Sequence, residues 1–375
     1  MTLDKRPALT SLAQSLPASV PFVGPEAQER ARGRAFVARI GANESVFGPS
    51  PKAISAMEAA AADVWKYGDP ENHDLVQALS THYGIDAEHV MIGEGIDGLL
   101  GYLVRLYVGP GDHVVTSDGA YPTFNYHVDG FGGTLHKVPY TGDQEDPAAL
   151  IDKAREVGAK LIYFANPDNP MGSWHDAATI QAMIEAVPAG CLLVLDEAYV
   201  EFAPEAAVPR LDPSCPNVIR MRTFSKAYGM AGARVGYALG AAETIMAFNK
   251  IRNHFGINRI AQAGALAALQ DQDWLAEVIG KTAAARREIG RIAHDHGLTP
   301  LPSATNFVAV DCGRDGVFAK AVLDALIDQD IFVRMPFAGP QTRCIRIGCG
   351  HPGDLSGLAT ALPRALARAQ KRAPL

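Results

Sequence analysis

The sequence predicts an α/β chain in which a mostly parallel, seven-stranded sheet lies between helices and a smaller α+β domain follows. Three observations carry this. Short, nearly continuous apolar runs alternate with longer helical stretches between about residues 85 and 240, as in strands that helices cover on both faces. Ile96, Leu99, Leu100, Leu103, Val104 and Tyr107 recur at spacings of three and four, one apolar stripe along a helix. After about residue 270 the texture turns to Ala/Arg-rich helix broken by brief apolar runs.

The first 35 residues are polar and punctuated by proline, which reads as an arm and not as a core element. Strands follow at 89–92 (HVMI), 113–116 (HVVT), 134–138 (TLHKV), 160–165 (KLIYFA), 191–195 (CLLVL), 217–221 (NVIRM) and 235–239 (VGYAL). Strands alternating with helices imply right-handed crossovers. Downstream, a helix at 273–297 leads to a strand in NFVAVDCG, a helix in VFAKAVLDALIDQ, strands in IFVRM and CIRIG, and a last helix. The tail ARAQKRAPL reads as a frayed helix end. The expected division is an arm over 1–44 that joins the small domain, a large domain over 45–270 and a small domain over 271–375.

Composition excludes several classes. With 48% hydrophobic and 20% charged residues in 375, global disorder is out. No apolar run reaches the ~18 residues of a membrane helix, and the opening MTLDKRPALTSLAQSL has no sustained apolar segment of the signal-peptide kind. A net charge of −7 does not point to nucleic acid. Five cysteines without a CxxC argue against a disulfide framework or zinc site and fit a reducing cytoplasm. The eleven histidines show no HExxH, so no catalytic metal is expected.

The segment Thr223–Tyr237, TFSKAYGMAGARVGY, puts Lys226 among hydroxyl residues just after an apolar run, with Arg234 eight residues on. A buried lysine can form a Schiff base. Thr223, Ser225 and Arg234 can donate to a phosphate. Asp196 closes the run Cys191–Leu195, at the strand end where open α/β sheets place ligands. Asn166-Pro167-Asp168-Asn169-Pro170 makes a rigid loop after another strand; Asn169 can offer an amide there, and one X-Pro bond can be cis. Gly93-Glu94-Gly95-Ile96-Asp97-Gly98 opens the amphipathic helix, where bare N–H groups suit a phosphate. It is not a GxGxxG fingerprint, which disfavours NAD. Tyr121 follows the strand 113–116 and can stack on a flat ring. Taken singly, each has a plainer alternative: a solvated lysine, a capping aspartate, a tight loop, a strand–helix turn, a core tyrosine. Together they supply a Schiff-base lysine, a carboxylate for a ring nitrogen, a stacking ring, donors for a ring hydroxyl and a phosphate cradle. Pyridoxal 5′-phosphate needs that set.

On these motifs, with DEAY at 196–199 and NPDNPMG at 166–172 in the expected order, the chain resembles the fold-type I, pyridoxal-phosphate-dependent class I/II aminotransferases. It is most similar to the histidinol-phosphate aminotransferase branch, over roughly residues 19–362. The resemblance implies that Lys226 forms the Schiff base and moves the proton, with Asp196 and Tyr199 completing the catalytic set. Asp196 pairs with the pyridine nitrogen, Asn169 and Tyr199 bond the ring hydroxyl, and Tyr121 stacks. Gly95, Ile96, Thr223, Ser225 and Arg234 hold the phosphate, and Asp97 is a further cofactor-binding residue. Trp65–Pro70 is similar to the family's Arg-Tyr-Pro-Asp-Pro segment, so Tyr67 implies a homodimer in which it reaches the partner's site. Phe22, Asn43, Arg334 and Arg346 are the implied substrate contacts, the arginines gripping an anionic end. Departures are Ile96 for serine, Gly98 for glutamate, Met171 for threonine, Phe22 for tyrosine and Gly68 for proline. Apolar Phe22 favours an amino-acid substrate. The implied reaction is ping-pong transamination between an amino acid or histidinol phosphate and a 2-oxo acid, in the cytoplasm. The alternatives are aromatic amino acid transamination, or decarboxylation or lyase chemistry on the same fold.

Overall fold

The computed structural model describes residues 7–18 and 23–372. In chain order the strands are β1 (Ala38–Arg39), β2 (Val90–Gly93), β3 (His113–Ser117), β4 (Thr134–Val138), β5 (Leu161–Ala165), β6 (Leu192–Asp196), β7 (Val218–Thr223), β8 (Gly236–Gly240), β9 (Thr299–Pro300), β10 (Phe307–Asp311), β11 (Ile331–Phe332) and β12 (Cys344–Gly348). The central sheet has seven strands in the order β2-β8-β7-β6-β5-β3-β4. Only β8 runs against the rest, antiparallel to both β2 and β7. All seven strands expected from apolar runs are present, each within two residues of its expected limits.

The middle strands β5, β6 and β7 are buried at every position, because helices cover both faces. On one face the helix Gly95–Tyr107 presents Ile96, Leu99, Leu100, Leu103 and Val104 to Tyr163, Val194 and Met221. On the other, Leu150, Ile151, Ile180 and Met183 pack on Ile162, Phe164, Leu193 and Leu195. Six strands pointing one way bring their C-terminal ends to one edge, which sets the place of the site.

The carboxyl-terminal region folds around a second core. Strands β12-β10-β9 form an antiparallel sheet, packed on the helices Gly316–Ile327 and Pro352–Arg372 through Val322, Leu326, Leu358 and Leu362. The IFVRM segment differs from expectation. Only Ile331–Phe332 is strand, and it pairs in parallel with β1 from the amino-terminal region. The opening residues are also more ordered than a plain arm. Thr10 caps a short helix Ser11–Ser15, and Pro25 starts a helix to Arg32, where proline's fixed φ suits the first turn. Arg32 and Arg34 pair with Asp330. The last helix does not fray at 367, since Ala365 and Ala369 are buried and it runs to Arg372. The 24-residue helix Gln272–Asp295 enters both cores, with Leu275 and Val278 in one and Ile289 and Ile292 in the other. No helix among the described residues is long and apolar enough to cross a membrane.

Side chains alternate along a strand, so Glu197 leaves Asp196 on the side away from the cavity. It is fully buried between Arg220 (2.5 and 2.9 Å) and Arg222 (2.8 Å). Burial pushes its carboxyl up, but the two guanidiniums outweigh that and hold it below the usual value. Glu197→Ala strands two buried cations and is expected to lower stability by about 3–5 kcal/mol, read from urea unfolding; a loss under about 1 kcal/mol would contradict the role assigned to this ion pair.

Candidate active site

A cavity of about 1060 Å³ opens at the C-terminal edge of the sheet. It gathers residues from strand ends far apart in sequence. Asp196 ends β6, Thr223 ends β7, and Asn169 and Tyr121 follow β5 and β3. Ile96 and Asp97 come from the first turn of the helix Gly95–Tyr107. Lys226, Ser225 and Arg234 come from the β7–β8 connection, and Asn43, Tyr199, Arg334 and Arg346 complete the lining. Gly95 borders this wall beside Arg234. Tyr67 does not line the cavity; it is 78% exposed on the surface, its ring 4.8 Å from Phe255. Phe22 lies outside the described residues. The Asn166–Pro167 peptide is cis.

Asp196 is 5% exposed. Its Oδ2 accepts from the Tyr163 hydroxyl at 2.6 Å and its Oδ1 from the Ala198 amide at 2.9 Å. Burial pushes the carboxyl up to about 6, against the pull of these two donors and of Lys226. The Lys226 Nζ donates to the Asn43 carbonyl at 3.1 Å, which also accepts from Asn306 Nδ2 at 3.0 Å. Asn43 takes a left-handed φ of 57°, and its Nδ2 donates to the Tyr199 hydroxyl at 3.1 Å. The Tyr199 ring stands edge-on to Phe307, 5.5 Å between centroids.

On the opposite wall, Thr223 Oγ1 donates to Ser225 Oγ at 3.0 Å, and Arg234 Nη1 reaches Ser225 Oγ at 3.4 Å. Arg234 Nη2 lies 3.5 Å from Asp97 Oδ2, whose other oxygen accepts from Tyr121 at 2.9 Å. Gly95 has φ +74°, and a Cβ there would stand 2.4 Å from Arg234 Nη2. Only glycine lets the guanidinium lie against the helix start, so hydroxyls, a cation and backbone N–H groups converge. Such a set of donors suits an anion.

Two further cations line the cavity. Arg334 and Arg346 are joined by an isolated bridge, Arg334 N to Arg346 O at 3.2 Å and Arg346 N to Arg334 O at 2.6 Å. Neither guanidinium meets a carboxylate among the described residues. Arg346 Nη1 donates to Asn169 Oδ1 at 2.5 Å, and its Nε is buried without a hydrogen-bond partner among the described residues. Arg334 Nη2 donates to the Val23 carbonyl at 2.6 Å. Burial lowers Arg346 to about 10, with the neighbouring Arg334 adding to the shift and Tyr199 opposing it. Burial lowers Arg334 as well. Two desolvated cations side by side favour an anion.

Two contributors escaped the sequence reading. Tyr163, which anchors Asp196, sits inside the run KLIYFA and reads there as core. Asn306, which holds the Asn43 carbonyl, lies 263 residues from it; no local spacing signals that meeting.

The fold and these walls define an α/β enzyme whose lysine, buried carboxylate and three arginines share one cavity. The model of the aminotransferase class I and II family matches residues 37–362, and the chain belongs to that family. It is 34% identical over 338 residues to histidinol-phosphate aminotransferase 2 of Pseudomonas fluorescens, covering 89% of this chain and 90% of that protein. It is 36% identical over 342 residues to histidinol-phosphate aminotransferase 2 of Pseudomonas aeruginosa, covering 89% and 90%. Among solved structures, histidinol-phosphate aminotransferase from Sinorhizobium meliloti, in complex with pyridoxal-5′-phosphate, is 56% identical with a TM-score of 0.94, covering 98% of this chain and 99% of that one.

The raised pKa of Asp196 is a statement about stability. Its folded value of about 6 exceeds the ordinary 3.8, so the ionised carboxyl costs stability increasingly as pH rises from 3.8 through 6. In the ligand-free protein, Asp196→Asn should therefore raise stability at about pH 8 by about 2–3 kcal/mol, at ~1.4 kcal/mol per unit. The gain should vanish near the usual aspartate value. Urea unfolding at several pH values checks this, and a pH-independent difference would contradict it.

Proposed function

We propose that the chain is a pyridoxal-phosphate-dependent aminotransferase whose amino donor carries an anionic end group, histidinol phosphate being the first candidate, with a 2-oxo acid as acceptor. One observation carries this reading. The Lys226 amine and the Asp196 carboxylate follow adjacent strands into a single cavity, with an anion cradle on one wall and the Arg334–Arg346 pair on the other.

The residues present fit the cofactor. Asp196 is buried, ionisable and served by neutral donors, so a protonated ring nitrogen would offset the cost of its charge. Thr223, Ser225, Arg234 and the N–H groups at Gly95 and Ile96 would hold the phosphate, with Asp97 steering Arg234. Tyr121 would cover a ring face, and Asn169 and Tyr199 would meet the ring hydroxyl. When bound, the cofactor supplies an electron sink for the pair left on the substrate α-carbon. Lys226 Nζ takes the proton from that carbon as general base and returns one as general acid. Asp196 keeps its negative charge against the ring nitrogen, in place before reaction and free of reorganisation. Arg346 and Arg334 hold the substrate's anionic end and fix the α-carbon within reach of Lys226.

The aminotransferases that match the chain favour amino transfer over decarboxylase or lyase chemistry. Ile96 and Met335 line the cavity beside Phe337, which supports aromatic amino acids as a second donor class. Val64, Trp65, Tyr67 and Phe255 are exposed apolar side chains close together in two segments, and such a surface suits a partner. We infer a homodimer in which Tyr67 reaches the partner's phosphate cradle. A cytoplasmic setting is inferred from five unpaired thiols.

A panel of amino donors with 2-oxoglutarate, histidinol phosphate and aromatic amino acids included, tests the reading. Keto product from at least one anionic donor is expected, with none from Lys226→Ala, which should also lack the visible absorbance of the lysine-bound cofactor; turnover retained in that variant would overturn the assignment. Sedimentation of the intact protein should give a dimer, and Tyr67→Ala should weaken cofactor retention on the order of tenfold, as for one lost charged hydrogen bond. A monomer with full activity would remove the shared-site proposal.

A further inference from the structure

Behind the Asn169 loop lie two carboxyls that the chemistry above does not use. Glu145 and Asp168 are each 2% exposed, and each bears on the other's ionisation. Two neighbouring carboxyls buried without a cation are not both ionised. The hydrogen bonds they accept come from neutral donors. Ser117 Oγ donates to Glu145 Oε2 at 2.6 Å and the Ala165 amide to Oε1 at 3.1 Å. The Tyr140 hydroxyl donates to Asp168 Oδ1 at 3.0 Å and the Met171 amide to Oδ2 at 3.1 Å. Neither carboxyl forms an ion pair with lysine or arginine among the described residues. Arg346 is the cation that bears on Asp168, through space.

We propose that Glu145 and Asp168 share one proton and are positioning residues for Asn169 and Arg346, holding the loop so that Arg346 meets an anionic substrate in a fixed place. The proposal rests on the reading that Arg346 binds that anion. Asp168 directly precedes Asn169, the acceptor of Arg346 Nη1. Its carboxylate pins Met171, while its backbone N–H donates to the Ser173 carbonyl at 2.8 Å and its carbonyl accepts from Gly172 at 3.0 Å. The turn is thus closed on one charged side chain. Glu145, as the protonated partner, satisfies the remaining Asp168 lone pair and adds no second charge. Without that proton, two buried anions repel across the base of the loop.

The other ionisable groups facing the pair do not replace this proton. Tyr140 comes from the segment after β4 and Tyr163 from β5, and burial first, then neighbouring carboxylates, keeps both phenols protonated. His175 Nε2 lies 2.8 Å from the Glu145 backbone carbonyl and donates there. Asp118, beside Ser117, acts on Tyr140 from a distance. Asp143 is engaged by Arg343 and Asp146 by Thr141. Burial pushes both members upward, Asp168 to about 7 and Glu145 well above the usual glutamate value, so the pair titrates as one unit.

The test uses the holoenzyme with Glu145→Gln, which keeps a donor toward Asp168, and Glu145→Leu, which removes it. Glu145→Gln should leave KM for the anionic donor within about threefold at neutral pH and should abolish the alkaline rise in KM expected of the parent. Glu145→Leu should raise KM on the order of tenfold with little change in kcat. Infrared difference spectra should show a protonated carboxylic acid in the parent that Glu145→Gln lacks. Thermal melts identify a variant that has simply lost its fold, in which case the Gln variant and the infrared band decide. The proposal falls if Glu145→Gln is as impaired as Glu145→Leu, if Glu145→Leu keeps the parental KM, or if the band is absent. Calorimetric binding of inorganic phosphate and of succinate to the three proteins should follow the same order without turnover. That order kept in a protein with no transamination would end the reaction assignment and leave the pair standing; transamination kept with the order lost would do the reverse.

Discussion

The desolvation of Asp196 governs this structure. A carboxylate at the end of a fully buried parallel strand has no bulk water and no lysine or arginine on its oxygens. Tyr163 and the Ala198 amide reduce the cost without cancelling it. The uncompensated charge faces a cavity, and in the proposed holoenzyme a cationic ring nitrogen completes it. The neighbouring strand position shows the contrast. Glu197, pointing the other way, is closed by two arginines and stabilises the fold. Adjacent residues of one chain segment thus divide the labour, one toward structure and one toward chemistry.

The central sheet was legible because its strands are short apolar runs bounded by turns, a pattern set by burial on both faces. The helix Gly95–Tyr107 was legible from its own stripe. Residues at strand ends were also readable, since topology sends every C-terminal end to the same edge. What resisted reading was non-local. β1 is two residues long, and its partner β11 lies nearly 300 residues away. IFVRM therefore read as a strand of an ordinary sheet, where the chain has a two-residue pairing and a separate bridge through Arg334. The opening helices were masked by their polarity. Tyr163 was hidden by its apolar neighbours, because a hydroxyl aimed at a buried acid leaves no trace in periodicity. Glu145 and Asp168 follow β4 and β5, which are not neighbours in the sheet, and Glu145 reaches across the ends of β3 and β5 to bond Ser117 and Ala165.

The anion subsites show how far residue types alone carry a function. Thr223, Ser225 and Arg234 are donors in any context. Gly95 turns them into a cradle by letting the guanidinium approach the helix start, where a methyl group would collide. Arg334 and Arg346 are common surface residues in kind. Their bridge sets them side by side, and burial lowers both, Arg334 adding to the shift of Arg346. Met335 and Phe337 line the same cavity as this pair, so an apolar surface and two cations share it.

The helix Gln272–Asp295 links these parts mechanically. At ~1.5 Å per residue it is roughly 36 Å long, seated at one end by Leu275 and Val278 and at the other by Ile289 and Ile292. It is shared by two cores. On that length a change of ~5° in its direction would displace one end by about 3 Å relative to the other. Ala227, next to Lys226, lies in the first core, and Ile345 and Ile347, on either side of Arg346, lie in the second, so this helix is seated in both of the cores that carry the cavity's cations.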